Sequence, residues 1–184
     1  MVRCACLINM CNRANGRTGM GAVMGSKNLK AVAVGGNRKP KIADKDVLSE
    51  LGRWGTKSFP KSDVASTGKF GTASIVGAQN ADGGLPTFNF NSGVFDGWEA
   101  IDGETMYNSI LAGCKEGKQD SRGRDTCFGC IVRCKRVVDI KEGPYQVDPL
   151  YGGPEYETIS SLGSYCGIDD LAAISKGNEL CNKY

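Results

Sequence analysis

Three cysteines lie within eight residues, in the segment Cys127-Phe-Gly-Cys130-Ile-Val-Arg-Cys134. The C-x2-C-x3-C spacing lets three thiolates come from one turn. A cubane iron–sulfur cluster takes four such ligands, and three from one loop plus one from afar is a common arrangement. Three cationic residues accompany the group: Arg133, Lys135 and Arg136. Because their charge would offset that of the thiolates, the pattern favours an iron–sulfur site at Cys127, Cys130 and Cys134.

Two other interpretations of this segment stay open. Structural zinc usually takes its ligands from two paired knuckles, and the sequence has no second C-x2-C pair and no histidine. The three cysteines could also be unrelated small core residues. Radical enzymes that cleave adenosylmethionine use the reverse order, C-x3-C-x2-C, so that class is disfavoured.

A second candidate site lies near the start of the chain, in the stretch RANGRTGMG that contains Arg13, Gly16 and Arg17. Arginine binds phosphate through paired hydrogen bonds, and glycine lets a bulky anion approach the backbone. The stretch matches neither a P-loop nor a G-x-G-x-x-G fingerprint. It predicts either an anion site or an ordinary glycine-rich turn.

Composition narrows the remaining chemistry. The 184 residues include no histidine, which excludes Ser-His and Cys-His dyads within them. The nine cysteines are an odd number without an apolar leader, so we expect free or metal-bound thiols in a cytoplasmic protein. A net charge of +3 from well-mixed residues does not indicate a nucleic-acid partner. No apolar run is long enough to predict a membrane span.

The elements that must position these residues divide the chain into two parts. Short apolar runs predict strands over residues 2–9 and 29–34, with one or two helical turns between them. Glycines at 35 and 36 and a proline at 40 then mark a boundary. Helical patterns dominate afterwards, over residues 45–57, 71–80, 104–112, 154–162 and from 171 onward. Asp44 is the predicted cap of the first of these helices, and Asp169 or Asp170 that of the last.

We therefore predict an α+β fold in two incomplete parts. Residues 1–37 would be the end of a strand-containing domain, and residues 38–184 the start of a mainly helical one. Residues 85–103 and 141–153 are predicted to be ordered loops, and residues 136–140 a weak strand. The chain opens inside a predicted strand and ends inside a predicted helix, so we expect both ends to be cut.

Four segments, in order, resemble the aldehyde ferredoxin oxidoreductase family. They are residues 12–36 (NRANGRTGMGAVMGSKNLKAVAVGG), the cysteine group, residues 152–157 (GGPEYE) and residues 164–171 (SYCGIDDL). The resemblance covers nearly the whole chain. It implies that residues 1–37 end a strand-rich pterin-binding domain, and that residues 38–184 begin a helical domain that binds both cluster and pterin.

The resemblance also implies an activity. Family members are tungsten enzymes that oxidise aldehydes to carboxylic acids, with ferredoxin or a similar carrier as electron acceptor. The implied cofactors are a tungsten bis-pterin (molybdopterin), magnesium bridging the pterin phosphates, and a 4Fe-4S cluster. A homo-oligomer or a subunit of a redox complex is expected. One alternative is a relative that reduces an aromatic-ring coenzyme A thioester. Another, from a different class, is a non-catalytic iron–sulfur or zinc-binding module.

The resemblance assigns roles to residues in the glycine-arginine stretch and at the end of the chain. By matched position, Arg13, Gly16 and Arg17 would contact the pterins, and the carbonyl of Ala14 would reach magnesium. Asn182 stands where the family's D-x-x-G-L-[CD] pterin motif has aspartate. The family's histidine and its fourth cluster cysteine would follow residue 184, so we expect this part alone to be inactive.

Glu157 matches the acidic residue that the family places near its metal. A carboxylate there could relay protons during aldehyde oxidation, provided that burial raises its pKa. The alternative is that Glu157 is a helix-start charge favoured by the helix dipole.

Overall fold

The computed structural model describes residues 2–16 and 18–184 and divides the chain into two units, Met1–Ser58 and Phe59–Tyr184. The described residues form eight α-helices and three two-stranded antiparallel sheets, which confirms the predicted α+β class. No helix among them is both long and apolar enough to cross a membrane.

The first unit begins with a β-hairpin. Strand β1 (Leu7–Asn9) pairs antiparallel with β2 (Arg13–Asn15). The chain reverses through Met10 and Cys11, whose φ angles of 55° and 60° are left-handed. The predicted helical turns are confirmed as helix α1 (Met20–Ser26).

Helix α2 (Lys45–Ser58) completes the first unit. Its cap is Asp44, as predicted: the carboxylate accepts the N–H groups of Asp46 and Val47 at 2.9 and 3.0 Å. Such a cap satisfies amides that have no partner inside the helix.

The strand predicted over residues 29–34 is wrong, and only Leu7–Asn9 of the strand predicted over 2–9 forms. Residues 29–34 are exposed and belong to neither helix nor sheet. An apolar run becomes a strand only when a neighbouring strand takes up its backbone hydrogen bonds. Within the described residues, no strand pairs with this segment.

The second unit is mainly helical. Its helices are α3 (Ala65–Phe70), α4 (Val76–Ala81), α5 (Trp98–Ile101), α6 (Gly103–Ser109), α7 (Tyr156–Leu162) and α8 (Leu171–Lys183). Short 3-10 turns occupy Phe59–Lys61, Thr72–Ile75, Pro149–Tyr151 and Ser164–Cys166. Asp170 caps α8 by accepting two backbone N–H groups, as predicted. The helix predicted over 71–80 is instead a 3-10 turn followed by α4.

Two hairpins join these helices. Strand β3 (Cys114–Lys115) pairs with β4 (Lys118–Gln119), and β5 (Arg124–Asp125) pairs with β6 (Lys135–Arg136). The strand predicted over 136–140 is present only as the end of β6 and as single bridges from Val138 to Leu111 and from Ile140 to Val147.

One hydrophobic core holds the second unit together. Its fully buried side chains include Val76, Leu85, Ile101, Met106, Leu111, Val138, Ile159 and Ile174. These residues come from five helices and from the loops between them. The core therefore fixes where the loops of this unit leave its surface.

One loop of the second unit has an unusual backbone. Phe88, Asn89 and Phe90 have φ angles of 45°, 58° and 62°, and non-glycine residues rarely adopt this left-handed region in succession. The 3-10 turn at Ser164–Cys166 holds the loop: the N–H groups of Phe88 and Asn89 donate to the carbonyls of Ser164 and Tyr165 at 3.1 and 2.9 Å. The Tyr165 hydroxyl also donates to the Asn89 side chain.

Candidate functional site

The three clustered cysteines lie on the loop that joins β5 to β6, which we call the cysteine loop (residues 126–134). The loop starts with a tight turn, in which the Cys130 N–H donates to the Cys127 carbonyl at 3.1 Å. The Thr126 hydroxyl donates to the Cys130 carbonyl at 2.7 Å. Left-handed φ angles of 70° at Gly129 and 56° at Arg133 complete the reversal. The thiols are thus carried by a defined loop.

None of the three thiols of the cysteine loop takes part in a disulfide bond. Cys127 is exposed, Cys130 and Cys134 are half-buried, and all three are free. Within the described residues, no three Cys, Asp or Glu side chains could together hold a single metal ion. Iron–sulfur clusters are held by thiolates, and three free thiols on one loop fit that donor chemistry. The structure does not gather them around one point.

A network of arginines fastens the cysteine loop to the end of α3. The Arg124 Nε donates to the Gly68 carbonyl at 2.6 Å. Arg136 donates to the Lys69 carbonyl at 2.5 Å and to the Arg133 carbonyl at 2.6 Å. The last carbonyls of a helix have no partner inside the helix, so the arginines satisfy groups that would otherwise need water.

The Arg136 side chain lies in a narrow space lined by glycines. A Cβ atom at Gly71 would lie 2.9 Å from the Arg136 Cδ, and one at Gly153 would lie 3.1 Å from the Arg136 Cβ. Gly71 also has a φ of 71° and a ψ of −165°, a combination essentially restricted to glycine. Arg136 can therefore pack beneath the cysteine loop only because Gly71 and Gly153 have no side chains.

The start of α7 lies next to the base of the cysteine loop. Thr72, which follows Gly71, donates its hydroxyl to the Glu155 Oε2 at 2.5 Å and accepts the Tyr156 N–H at 2.9 Å. The Val138 N–H donates to the Gly152 carbonyl at 3.1 Å. The GGPEYE segment is thus held directly against the strand that leaves the cysteine loop.

The two glutamates of this segment differ in environment. Glu155 is the half-buried N-cap of α7, whereas Glu157 is exposed in the first helical turn. The burial that the proton-relay argument requires is therefore not supplied to Glu157 by the described residues. Burial raises the pKa of the neighbouring Tyr156 phenol, and the Glu157 carboxylate raises that pKa further.

Asn182 lies near the end of α8, on the same face as Asn178. Both amides donate to the Tyr151 carbonyl, from 3.0 and 3.3 Å. An asparagine whose Nδ2 is used in this way presents its Oδ1 as the acceptor. Asn182 therefore offers an uncharged acceptor at this position.

Directly after Asn178, α8 carries a buried carboxylate. Glu179 accepts the Lys176 ammonium at 2.8 Å and the Asp148 backbone N–H at 2.9 Å. The hydrogen bond from Lys176, followed by that from Asp148, lowers the pKa of Glu179. Glu179 thus ties the loop before Tyr151 to the helix that carries Asn182.

The first unit carries the other predicted cofactor contacts. Arg13 and Ala14 lie on β2, with Ala14 exposed and Arg13 half-buried. A Cβ atom at Gly16 would meet nothing within 4 Å, so its backbone is open to a bulky group. Arg17 lies outside the described residues.

The sequence interpretation missed several residues of this arrangement. It assigned Arg136 only a charge beside the cysteines, and it did not identify Arg124 or Thr72. The Arg136 bond to Lys69 spans 67 residues, and the Thr72 bond to Glu155 spans 83. The unbroken valines at 137 and 138 after Arg136 are the one local signal that this arginine begins a buried segment.

Known proteins match along the whole chain. A family model described as aldehyde ferredoxin oxidoreductase, domains 2 and 3, matches residues 50–184. A second, described as the N-terminal domain of the same family, matches residues 1–36. Both matches include residues of the candidate sites described above.

Individual relatives agree with these matches. Tungsten-containing aldehyde ferredoxin oxidoreductases from Pyrococcus abyssi and Thermococcus kodakarensis are 39% and 37% identical over all of this chain. The WOR-like subunit of an aliphatic sulfonate oxidoreductase from Pyrococcus furiosus is 28% identical over 91% of the chain, which spans 25% of that protein. The chain spans 28% of the length of the first two relatives.

Proposed function

The chain belongs to the aldehyde ferredoxin oxidoreductase family, and from this premise we propose that it forms part of a tungsten enzyme that oxidises aldehydes to carboxylic acids. The observation that carries the proposal is the family match over residues 50–184, which includes the cysteine loop. Oxidation of an aldehyde with one water gives a carboxylic acid, two electrons and two protons. The bound tungsten-pterin would supply this redox chemistry, while the protein positions substrate and cofactor.

We propose that Cys127, Cys130 and Cys134 supply three ligands of a 4Fe-4S cluster. Their free thiols on one loop support the assignment, and the fourth ligand would come from elsewhere. The cluster would pass electrons to ferredoxin or a similar carrier. The cytoplasmic location and the assembly into an oligomer or redox complex stay predictions.

The pterin contacts belong to the same proposal. Arg13, Gly16 and Arg17 would contact the pterin phosphates or the pterin near the cluster, and arginine and an open glycine backbone suit a phosphate. The Ala14 carbonyl would reach magnesium. The two family matches, over residues 1–36 and 50–184, support the proposed domain boundary near residue 37.

Asn182 and Glu157 are the cofactor and substrate contacts that we propose for the second unit. The Oδ1 of Asn182 would accept an N–H of the pterin, with its amide held by the Tyr151 carbonyl. Glu157 would hold or release a proton near the substrate. Its exposure means that this role requires the rest of the site to enclose it.

The test uses the full-length protein that carries this sequence, produced anaerobically with tungstate. We expect aldehyde-dependent reduction of ferredoxin, with about four iron atoms per polypeptide if one cubane cluster is bound. Aliphatic sulfonates and aromatic coenzyme A thioesters would be assayed in parallel. Turnover of either substrate in place of aldehydes would contradict the proposed reaction.

A pair of cysteine variants tests the ligand assignment. We expect Cys130→Ser to remove most of the cluster absorbance and iron, because a hydroxyl is a poor replacement for a thiolate. Cys166→Ser is the matched control, since Cys166 is exposed and lies outside the cysteine loop. Equal iron content in the two variants would argue against the cluster ligands proposed here.

A further inference from the structure

Arg136 has the largest fully buried side chain among the described residues, at 1% exposure. Its guanidinium keeps its proton under all ordinary conditions. A buried cation is costly unless hydrogen bonds compensate for the lost water. The hydrogen bonds of Arg136, which lies two residues after Cys134, must therefore compensate for the burial of its charge.

Its hydrogen bonds join the cysteine loop to the helical scaffold. Arg136 donates from Nε to the Cys134 carbonyl at 3.2 Å and from Nη2 to the Arg133 carbonyl at 2.6 Å. From Nη1 it donates to the Lys69 carbonyl, in the last turn of α3, at 2.5 Å. One rigid, planar group thus fixes the end of the loop, including a cysteine, relative to a helix.

Neighbouring cations do not have this geometry. The Arg133 Nη2 donates to the carbonyls of Ser121 and Arg124, at 3.3 and 2.5 Å, so it fastens the loop to the preceding strand. The exposed Arg122 pairs with Asp120 at 2.7 Å. Arg136 alone among these three binds both the peptide of a cysteine and α3.

We propose that Arg136 is the positioning residue of the cluster loop: it holds Cys134 in place and keeps a permanent positive charge beside the thiolates. The proposal rests on the proposed function, because it assumes a cluster on this loop. A fixed cation near a cluster stabilises the reduced form, since reduction adds a negative charge. Arg136 would therefore raise the cluster's midpoint potential and slow loss of its iron.

The experiment compares three variants of the full-length, anaerobically purified protein: Arg136→Gln, Arg136→Lys and the control Arg122→Gln. Midpoint potentials come from a redox titration followed by electron paramagnetic resonance, and iron release is followed with a chelator. For Arg136→Gln we expect a more negative potential and iron release about tenfold faster, as for the loss of roughly one charged hydrogen bond. Arg122→Gln should match wild type in both.

Arg136→Lys separates charge from positioning. Lysine keeps the charge but lacks the planar fork of donors, so we expect a potential close to wild type with faster iron release. If Arg136→Gln cannot be purified, the same two measurements on Arg136→Lys decide the matter. Wild-type potential and wild-type iron release in the available variant would overturn the inference. Wild-type protein without a cluster would instead contradict the proposed function.

Discussion

Each of the two units carries candidate ligands on a β-hairpin, but the two hairpins are supported differently. In the second unit, the cysteine loop rests on a buried arginine and an adjoining apolar core. In the first unit, Gly19 is the one buried residue among those described. Helix α2 shows the contrast most clearly, because its apolar residues Leu51 and Trp54 are 56% and 67% exposed.

This difference separates local from tertiary determinants of structure. Helix α2 forms where the cap at Asp44 and the helical spacing of apolar residues predict it, although its apolar face is exposed. The cysteine loop depends on contacts between residues far apart in sequence. Substitutions should therefore have large, non-local effects in the second unit and small, local ones in the first.

The largest effect is expected at Gly71. Alanine there must adopt a strained backbone and meets the Arg136 Cδ at 2.9 Å, which together should cost about 2–6 kcal/mol of unfolding free energy. Gly52→Ala, in the middle of α2 with open space around it, should be neutral or slightly stabilising. The free energies of unfolding of both variants can be measured in urea. Equal destabilisation would show that the two units do not differ in their sensitivity to substitution.

The second-largest loss of stability is expected when a side chain of the core is shortened. Met106 is fully buried, whereas Leu51 is 56% exposed. We expect Met106→Ala to cost about 2–5 kcal/mol, through lost burial and a residual cavity. Leu51→Ala should stay within about 0.5 kcal/mol. Thermal and urea unfolding measure both, and a large cost for Leu51→Ala would show that its face is covered in solution.

The buried carboxylate of the second unit should give a pH-dependent effect. The lowered pKa of Glu179 means that its stabilisation is present above the ordinary glutamate pKa of about 4.3 and is lost as pH falls through the lowered value. We expect Glu179→Gln to cost about 1–3 kcal/mol at pH 7 and progressively less as the pH falls below that ordinary value. Glu142→Gln, at an exposed residue, is the control in urea unfolding, and parallel pH profiles for the two variants would contradict this assignment.

The smallest effect is expected at the α2 cap. Asp44→Ala removes the acceptor of two backbone N–H groups and should cost α2 about 1 kcal/mol. Hydrogen exchange should quicken at residues 46 and 47 and leave the second unit unchanged. Asp44→Ser keeps a capping oxygen and should restore protection. Failure of serine to do so would show that the side-chain oxygen is not what matters there.

The sequence predicts the parts of this fold whose signals are local. The caps at Asp44 and Asp170 are confirmed because the acceptor lies two or three residues from the donors. The predicted helix at Pro154 begins instead at Tyr156, and this shift leaves Glu155 half-buried as the N-cap and Glu157 exposed. Which glutamate is enclosed depends on Thr72, which local spacing cannot reveal.

The candidate site also contains residues that local sequence predicts and residues that only distant contacts fix. The sequence identifies the cysteine triplet, since spacing alone brings three thiols onto one loop. It does not identify Arg136 as buried, because charge beside cysteines predicts a solvated side chain as readily as an enclosed one. The enclosure depends on Gly71 and Gly153, which both lie against the arginine side chain and are not adjacent to it in sequence.

The left-handed run from Phe88 to Phe90 has a consequence for the order of folding. Local preference opposes this conformation at Phe88 and Phe90 by about 1–2 kcal/mol each, so the run is stable only once Ser164 and Tyr165 are in place to bind it. The Asn89–Tyr165 contact closes a separation of 76 residues, and contacts of such range form slowly. The loop should therefore take its native shape after the helices on either side of it, as one of the last steps of assembly.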